Sequence, residues 1–198
     1  MKTFLSHTRI VLTSLAVLTS NQIACASRLP DIVRETMKAY FEPEVKSDAR
    51  TTAIASTDKN DKLLSARAGV FVTLSKNGKT RACWGSVNPE APSLSAATAN
   101  ATIGALTKDY RYKPIKASEW AHLKPQVTVI KSVDPISNIR QFNPLQDGLM
   151  IRSGGKSGVL LPREAIDATY ALVQCKLKAG IKAGEPFQMY KLKAQIYE

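Results

Sequence analysis

Strand-like hairpins interspersed with single helices, in place of repeated strand–helix–strand units, predict an α+β domain. Three stretches carry that prediction. Residues 70–85 hold two strand-like runs around Asn77-Gly78, residues 149–161 hold a second pair around Gly154-Gly155, and residues 190–196 alternate apolar and polar side chains. Asn-Gly between two extended runs is a strong hairpin signal, because both central residues of a type I′ turn need φ > 0.

The first 26 residues read as a secretory leader and are set apart from the fold. Lys2 and Arg9 give a positive start, residues 10–18 an apolar run, and Ala24-Cys25-Ala26 a small-residue cleavage site before Ser27. The apolar run is too short for a bilayer span, which takes about 20 residues. Two readings stand at its end: cleavage after Ala26, or lipidation of Cys25 as in a bacterial lipoprotein signal. Both give an exported product, periplasmic or secreted, with no permanent transmembrane segment and residues 27–198 as one domain.

The elements follow in order. Pro30-Asp31 opens a helix through Phe41, since proline suits a first helical turn. Residues 42–65 are polar and weakly patterned apart from Leu63-Leu64 and read as a connector with room for one strand. After the first hairpin, Pro89 and Pro92 bracket a loop, and Ser93 is placed to cap a helix running to about Lys108. Ala97, Ala101 and Ala105 recur at helical spacing, as close packing on a sheet requires. Pro114 makes Tyr110-Arg111-Tyr112-Lys113 a loop, and Val127 and Val129 mark the next strand. Residues 163–179 read as a helix closed by Gly180, with Ile166, Tyr170, Val173 and Leu177 along its apolar side. The C-terminal strand sets Tyr190, Leu192, Ala194 and Ile196 on one face and Lys191, Lys193 and Gln195 on the other.

Charge and residue inventory narrow the function. The chain has 28 Lys and Arg against 16 Asp and Glu, and Lys2 and Arg9 account for two of the 28, so the mature protein stays near +10. Such a surface attracts anions. The lysines are scattered and aromatic content is low, which argues against nucleic acid. His122, on a turn before Leu123-Lys124-Pro125, is the one histidine past the leader, so histidine-based triads and zinc sites lack their parts. Gly154-Gly155-Lys156-Ser157-Gly158 lies between strands and not at a helix start, as a phosphate loop must. No cofactor and no metal are expected. Cys83 and Cys175 remain as free thiols or as one disulfide.

In the second strand of the first hairpin, Arg81 and Cys83 are two apart and expected on one face, where a guanidinium favours the thiolate. This stretch, Thr80-Arg81-Ala82-Cys83-Trp84-Gly85, resembles the Leu-Arg-Gly-Cys-Ile-Gly hallmark of the AMMECR domain family. The resemblance extends over most of the mature chain. Asp109-Tyr110-Arg111-Tyr112-Lys113-Pro114, Gly158-Val159-Leu160-Leu161-Pro162, Lys178-Ala179-Gly180 and the closing strand match further family blocks. Ala82 and Trp84 depart from the hallmark. The resemblance implies a two-lobed α+β fold with a mainly antiparallel sheet, flanking helices, and the hallmark lining a groove between lobes; Arg81, Cys83 and Gly85 carry over.

Two functions follow as expectations. One is a binding module that captures a small anionic ligand or a protein partner in a basic groove around Arg81 and Cys83, with Gly85 and Arg111 as further ligand contacts. The other is a thiol-dependent enzyme in which Cys83 is the nucleophile, Arg81 and Arg111 hold an anionic substrate, and Asp109 or Tyr112 handles a proton. Against the second stands the ordinary behaviour of cysteine as a small buried hydrophobe.

Overall fold

A computed structural model of the chain describes residues 28–42 and 62–198. The leader, Cys25 and most of the connector lie outside the described residues. The first helix, α1 (Arg28–Phe41), buries Leu29, Ile32, Val33 and Met37, a 3-4 spaced apolar face. A single turn, α2 (Lys62–Ser65), follows, with Leu64 fully buried.

The hairpin joins β1 (Val70–Lys76) to β2 (Lys79–Ser86). Asn77 and Gly78 take φ of 51° and 74°, as the Asn-Gly signal requires. Ser93 caps α3 (Leu94–Thr107), its hydroxyl accepting the Ala96 N–H at 3.2 Å. The strands β3 (Lys124–Ile136), β4 (Asp147–Ser153) and β5 (Lys156–Leu160), helix α4 (Ala168–Ala179) and strand β6 (Gln188–Tyr197) complete the molecule. The six strands form one antiparallel sheet in the order β2-β1-β3-β6-β4-β5. This is the predicted α+β architecture.

Helices divide the sheet into two lobes. At one end α1 and α3 pack on Val70, Val72, Leu74, Val127 and Val129; at the other α4 packs on Leu149, Ile151 and Leu160. Alternate residues of the same strands, Phe71, Ile130, Met150, Val159 and Leu192, gather on the opposite face. The sheet curls about this third cluster. Its two edge strands, β2 and β5, which are farthest apart in the strand order, come to face one another across a cleft.

The last helix departs from expectation in two ways. It begins at Ala168, not at 163: Arg163 sits at φ 69° with its N–H donated to the Pro144 carbonyl, and Asp167 caps the helix by accepting the Tyr170 N–H at 2.8 Å. Its buried side is also the other one. Ala171 and Cys175 are fully buried, whereas Ile166, Tyr170, Val173 and Leu177 are 87%, 53%, 48% and 67% exposed. The reason is close approach. A Cβ on Gly158 of β5 would fall 2.1 Å from the Cys175 carbonyl oxygen, so the strand and helix backbones touch, and only the small-residue stripe of α4 fits against the sheet.

Candidate functional site

The cleft between the lobes holds about 300 Å³ and is lined from β2 by Cys83, Trp84 and Gly85, from the 109–111 loop, from β5 by Gly158 and Val159, and by Glu164 and Lys178. Cys83 pairs with Thr73 of β1, and its own N–H and C=O point outward along the sheet edge. Both are met by side chains. Asp109 Oδ2 accepts the Cys83 N–H at 2.8 Å, and Arg111 Nη2 donates to the Cys83 carbonyl at 3.4 Å. Arg111 is in turn held bidentately, Nε to Oδ1 and Nη2 to Oδ2 of Asp109, each at 2.8 Å. The Asp-x-Arg spacing makes this pair local, because Asp109 Oδ1 also accepts the Arg111 N–H at 3.2 Å in an Asx-type turn. The two side chains do for the edge of β2 what a neighbouring strand would do.

The same device caps β5. Lys178 Nζ donates to the Val159 carbonyl at 3.0 Å and lies 3.5 Å from Glu164, whose Oε2 accepts the Leu161 N–H at 3.1 Å. The cleft therefore carries two cations and two carboxylates, each cation paired, and is charge-balanced rather than basic.

Electrostatics at the thiol follow from burial. Removal from water pushes the Cys83 thiol up from its ordinary value; the Thr73 hydroxyl, which donates to Sγ at 3.3 Å, and the cations Arg111 and Lys178 pull it down without compensating. Burial also acts on Asp109, but there the Arg111 hydrogen bonds and the Cys83 N–H win, and its carboxyl is held below the usual carboxylate range. Arg111 is raised further by its bonds to Asp109. Cys175, fully buried in the second lobe, is pushed up to about 12 by desolvation. Both cysteines are free thiols, so the disulfide alternative is not the one realised.

Arg81 is not beside the thiol. The register slips between Leu74 and Ser75 of β1, leaving Arg81 as the extra residue of a β-bulge. Its guanidinium donates to Glu119 at 2.6 Å and to the Pro114 carbonyl at 3.1 Å, and it lines a separate cavity with Tyr112. Tyr112 lies under the Arg111 guanidinium, 5.4 Å from Cζ to ring centroid, and is absent from the lining of the Cys83 cleft. Asp109 and Arg111 do join Cys83. Gly85 lines the cleft as well, and its lack of a side chain answers to packing, since a Cβ there would fall 2.1 Å from the Val70 carbonyl oxygen. Trp84 packs on bare Gly104 of α3, with Lys108 Nζ 5.9 Å from its ring centroid.

Lys178, Glu164 and the β5 backbone were not among the expected site residues. Their signal was the Gly158-to-Pro162 and Lys178-Ala179-Gly180 blocks, read as fold markers though they form the far wall of the cleft. Among the described residues, no group of three or more His, Cys, Asp or Glu side chains is arranged to hold a metal ion, and no helix is long and apolar enough to cross a membrane.

Comparisons with known proteins bear on the family and the fold. A profile of the AMMECR1 family matches residues 31–198. A protein of Thermotoga maritima is 30% identical over 142 residues, 70% of this chain and 82% of that one. A protein of Methanococcoides burtonii is 32% identical over 172 residues, 84% of this chain and 81% of its own. The crystal structure of an uncharacterized protein from Pyrococcus horikoshii superposes with a TM-score of 0.75 at 26% identity, covering 87% of this chain and 90% of that one.

Proposed function

The chain belongs to the AMMECR1 family, and we propose that it works as an exported binding module whose interlobe cleft captures an anionic group, on a small ligand or on a protein partner. The observation that carries this reading is that the cleft is lined by two cations, Arg111 from one lobe and Lys178 from the other. Each keeps donors in reserve: Arg111 engages Asp109 and Cys83 through Nε and Nη2, leaving Nη1, and Lys178 has three N–H groups for two acceptors. Arg81, committed to Glu119, is replaced in the proposed ligand set by Lys178.

The thiol-enzyme reading is weaker on physical grounds. A nucleophilic cysteine needs its thiolate, and burial outweighs the neighbouring cations at Cys83. Asp109, the candidate proton carrier, is tied to Arg111 and to the Cys83 backbone.

Calorimetric titration with phosphate, dicarboxylates and acidic peptides tests the binding reading. At least one anion is expected to bind, and Lys178→Gln to weaken it about tenfold, the scale of one charge-assisted hydrogen bond to the ligand. Cys83→Ala is expected to leave the affinity within a factor of about three, since no bond of the thiol to the ligand is invoked. Binding that ignores Lys178→Gln, or no binding across the set, ends the proposal.

A further inference from the structure

We propose that the anionic group held in the interlobe cleft is the C-terminal carboxylate of an extended peptide whose backbone pairs with the open edge of β2 at Gly85. The inference rests on the anion-capture reading of the same cleft and names its ligand class. β2 is an edge strand, and its register with β1 is unbroken from Cys83 to Ser86. Cys83 turns its N–H and C=O outward to Asp109 and Arg111, so Gly85, two residues on, presents its own N–H and C=O on the same side. Among the described residues, no side chain or loop bonds to either group. Gly85 lines both the cleft and a second cavity of about 360 Å³ beside α3, so the strand edge there is open from both faces of the sheet.

An outward donor and acceptor on a strand edge are matched by another extended backbone. Asp109 and Arg111 already stand where such a chain would pair with Cys83, and their side chains end the ladder there. A strand running through is stopped by this cap; a chain that terminates before it is not. Charge selects the direction. A peptide antiparallel to β2 advances from the level of Gly85 toward that of Cys83 at about 3.4 Å per residue. When its penultimate residue pairs with Gly85, its terminal carboxylate arrives beside Arg111, whose Nη1 is uncommitted. A parallel peptide would bring a terminal ammonium to the same guanidinium. Lys178 adds a second cation at this end, since it lines the cleft and is close enough to Cys83 to act on its thiol. With β5 as its far wall, a cleft of about 300 Å³ admits one chain end and not the edge of a second folded sheet.

The probes are N-acetyl tetrapeptide acids of varied sequence, each with two relatives. One is the C-terminal amide. The other is the free acid N-methylated at its penultimate residue, which keeps the charge and removes the N–H that the Gly85 carbonyl would accept. In calorimetric titration of the full chain, at least one free acid is expected to bind tenfold or more tighter than acetate, and amidation and N-methylation each to weaken it about tenfold. Lys178→Gln, with its fold checked by circular dichroism, is expected to weaken the free acid and to leave the amide within a factor of about two. Changes made in the peptide leave the protein's own stability untouched. The inference is overturned if the amide binds as well as the acid, if N-methylation has no effect, or if no peptide exceeds acetate. Phosphate or a dicarboxylate that binds in a Lys178-dependent way while the peptides do not overturns this inference and leaves the anion-capture reading standing; absence of binding by every anion ends both.

Discussion

Cys83 has its backbone pinned on both sides by Asp109 and Arg111, which holds the residue in place, while burial keeps its thiol raised. Since burial raises the thiol, alkylation followed by mass spectrometry is expected to be slow at pH 7 and to climb only past the ordinary cysteine range. Fast labelling at neutral pH contradicts the inert reading and restores the nucleophile. Asp109 contributes to stability through the same contacts. Its side chain is 3% exposed but its partner Arg111 is 38% exposed, so solvent screening tempers the pair, and Asp109→Ala is expected to cost about 2 kcal/mol in urea unfolding at pH 7. The sign with pH follows from its lowered folded-state value. That contribution is fully present above the unfolded carboxylate range, about pH 4, and is lost as pH falls through the depressed folded value, so the gap between parent and Asp109→Ala should close in acid. A gap that widens in acid contradicts this.

Among the elements, the hairpin and α3 were legible because their signals are local. Asn77-Gly78 acts through φ, and Ser93 through one hydrogen bond to a nearby N–H. The bulge at Arg81 was not legible, because alternation assumes an unbroken register and the slip is a property of the pairing with β1. The buried side of α4 was hidden for a related reason. A 3.6-residue period shows that a stripe is apolar but not which partner it meets, and here backbone contact at Gly158 admits only the small stripe. Gly158→Ala should therefore destabilise by about 3 kcal/mol or more, as strand and helix are forced apart. Gly155→Ala, with no neighbouring atom within 4 Å, should change stability by under about 1 kcal/mol. Comparable thermal denaturation midpoints for the two variants would rule out the close approach.

For the whole molecule, the proposed route is export, and its test is the intact mass of protein recovered from an exporting cell. The mature chain should begin at Ser27 or at a lipid-modified Cys25; a chain starting at Met1 discards the leader reading. By itself the sequence determined the α+β class, the antiparallel hairpins, the Ser93 and Gly180 caps and the family, because each rests on interactions spanning a few residues or on motif blocks readable in order. The tertiary structure decided which residues share a site. Curling of the sheet brought β2 and β5 together, adding Lys178 and Glu164 to the cleft of Cys83, while one bulge sent Arg81 to Glu119. It also decided which side of α4 meets solvent. Such choices depend on how distant strands and helices fill space against one another, and no local period or motif encodes that packing.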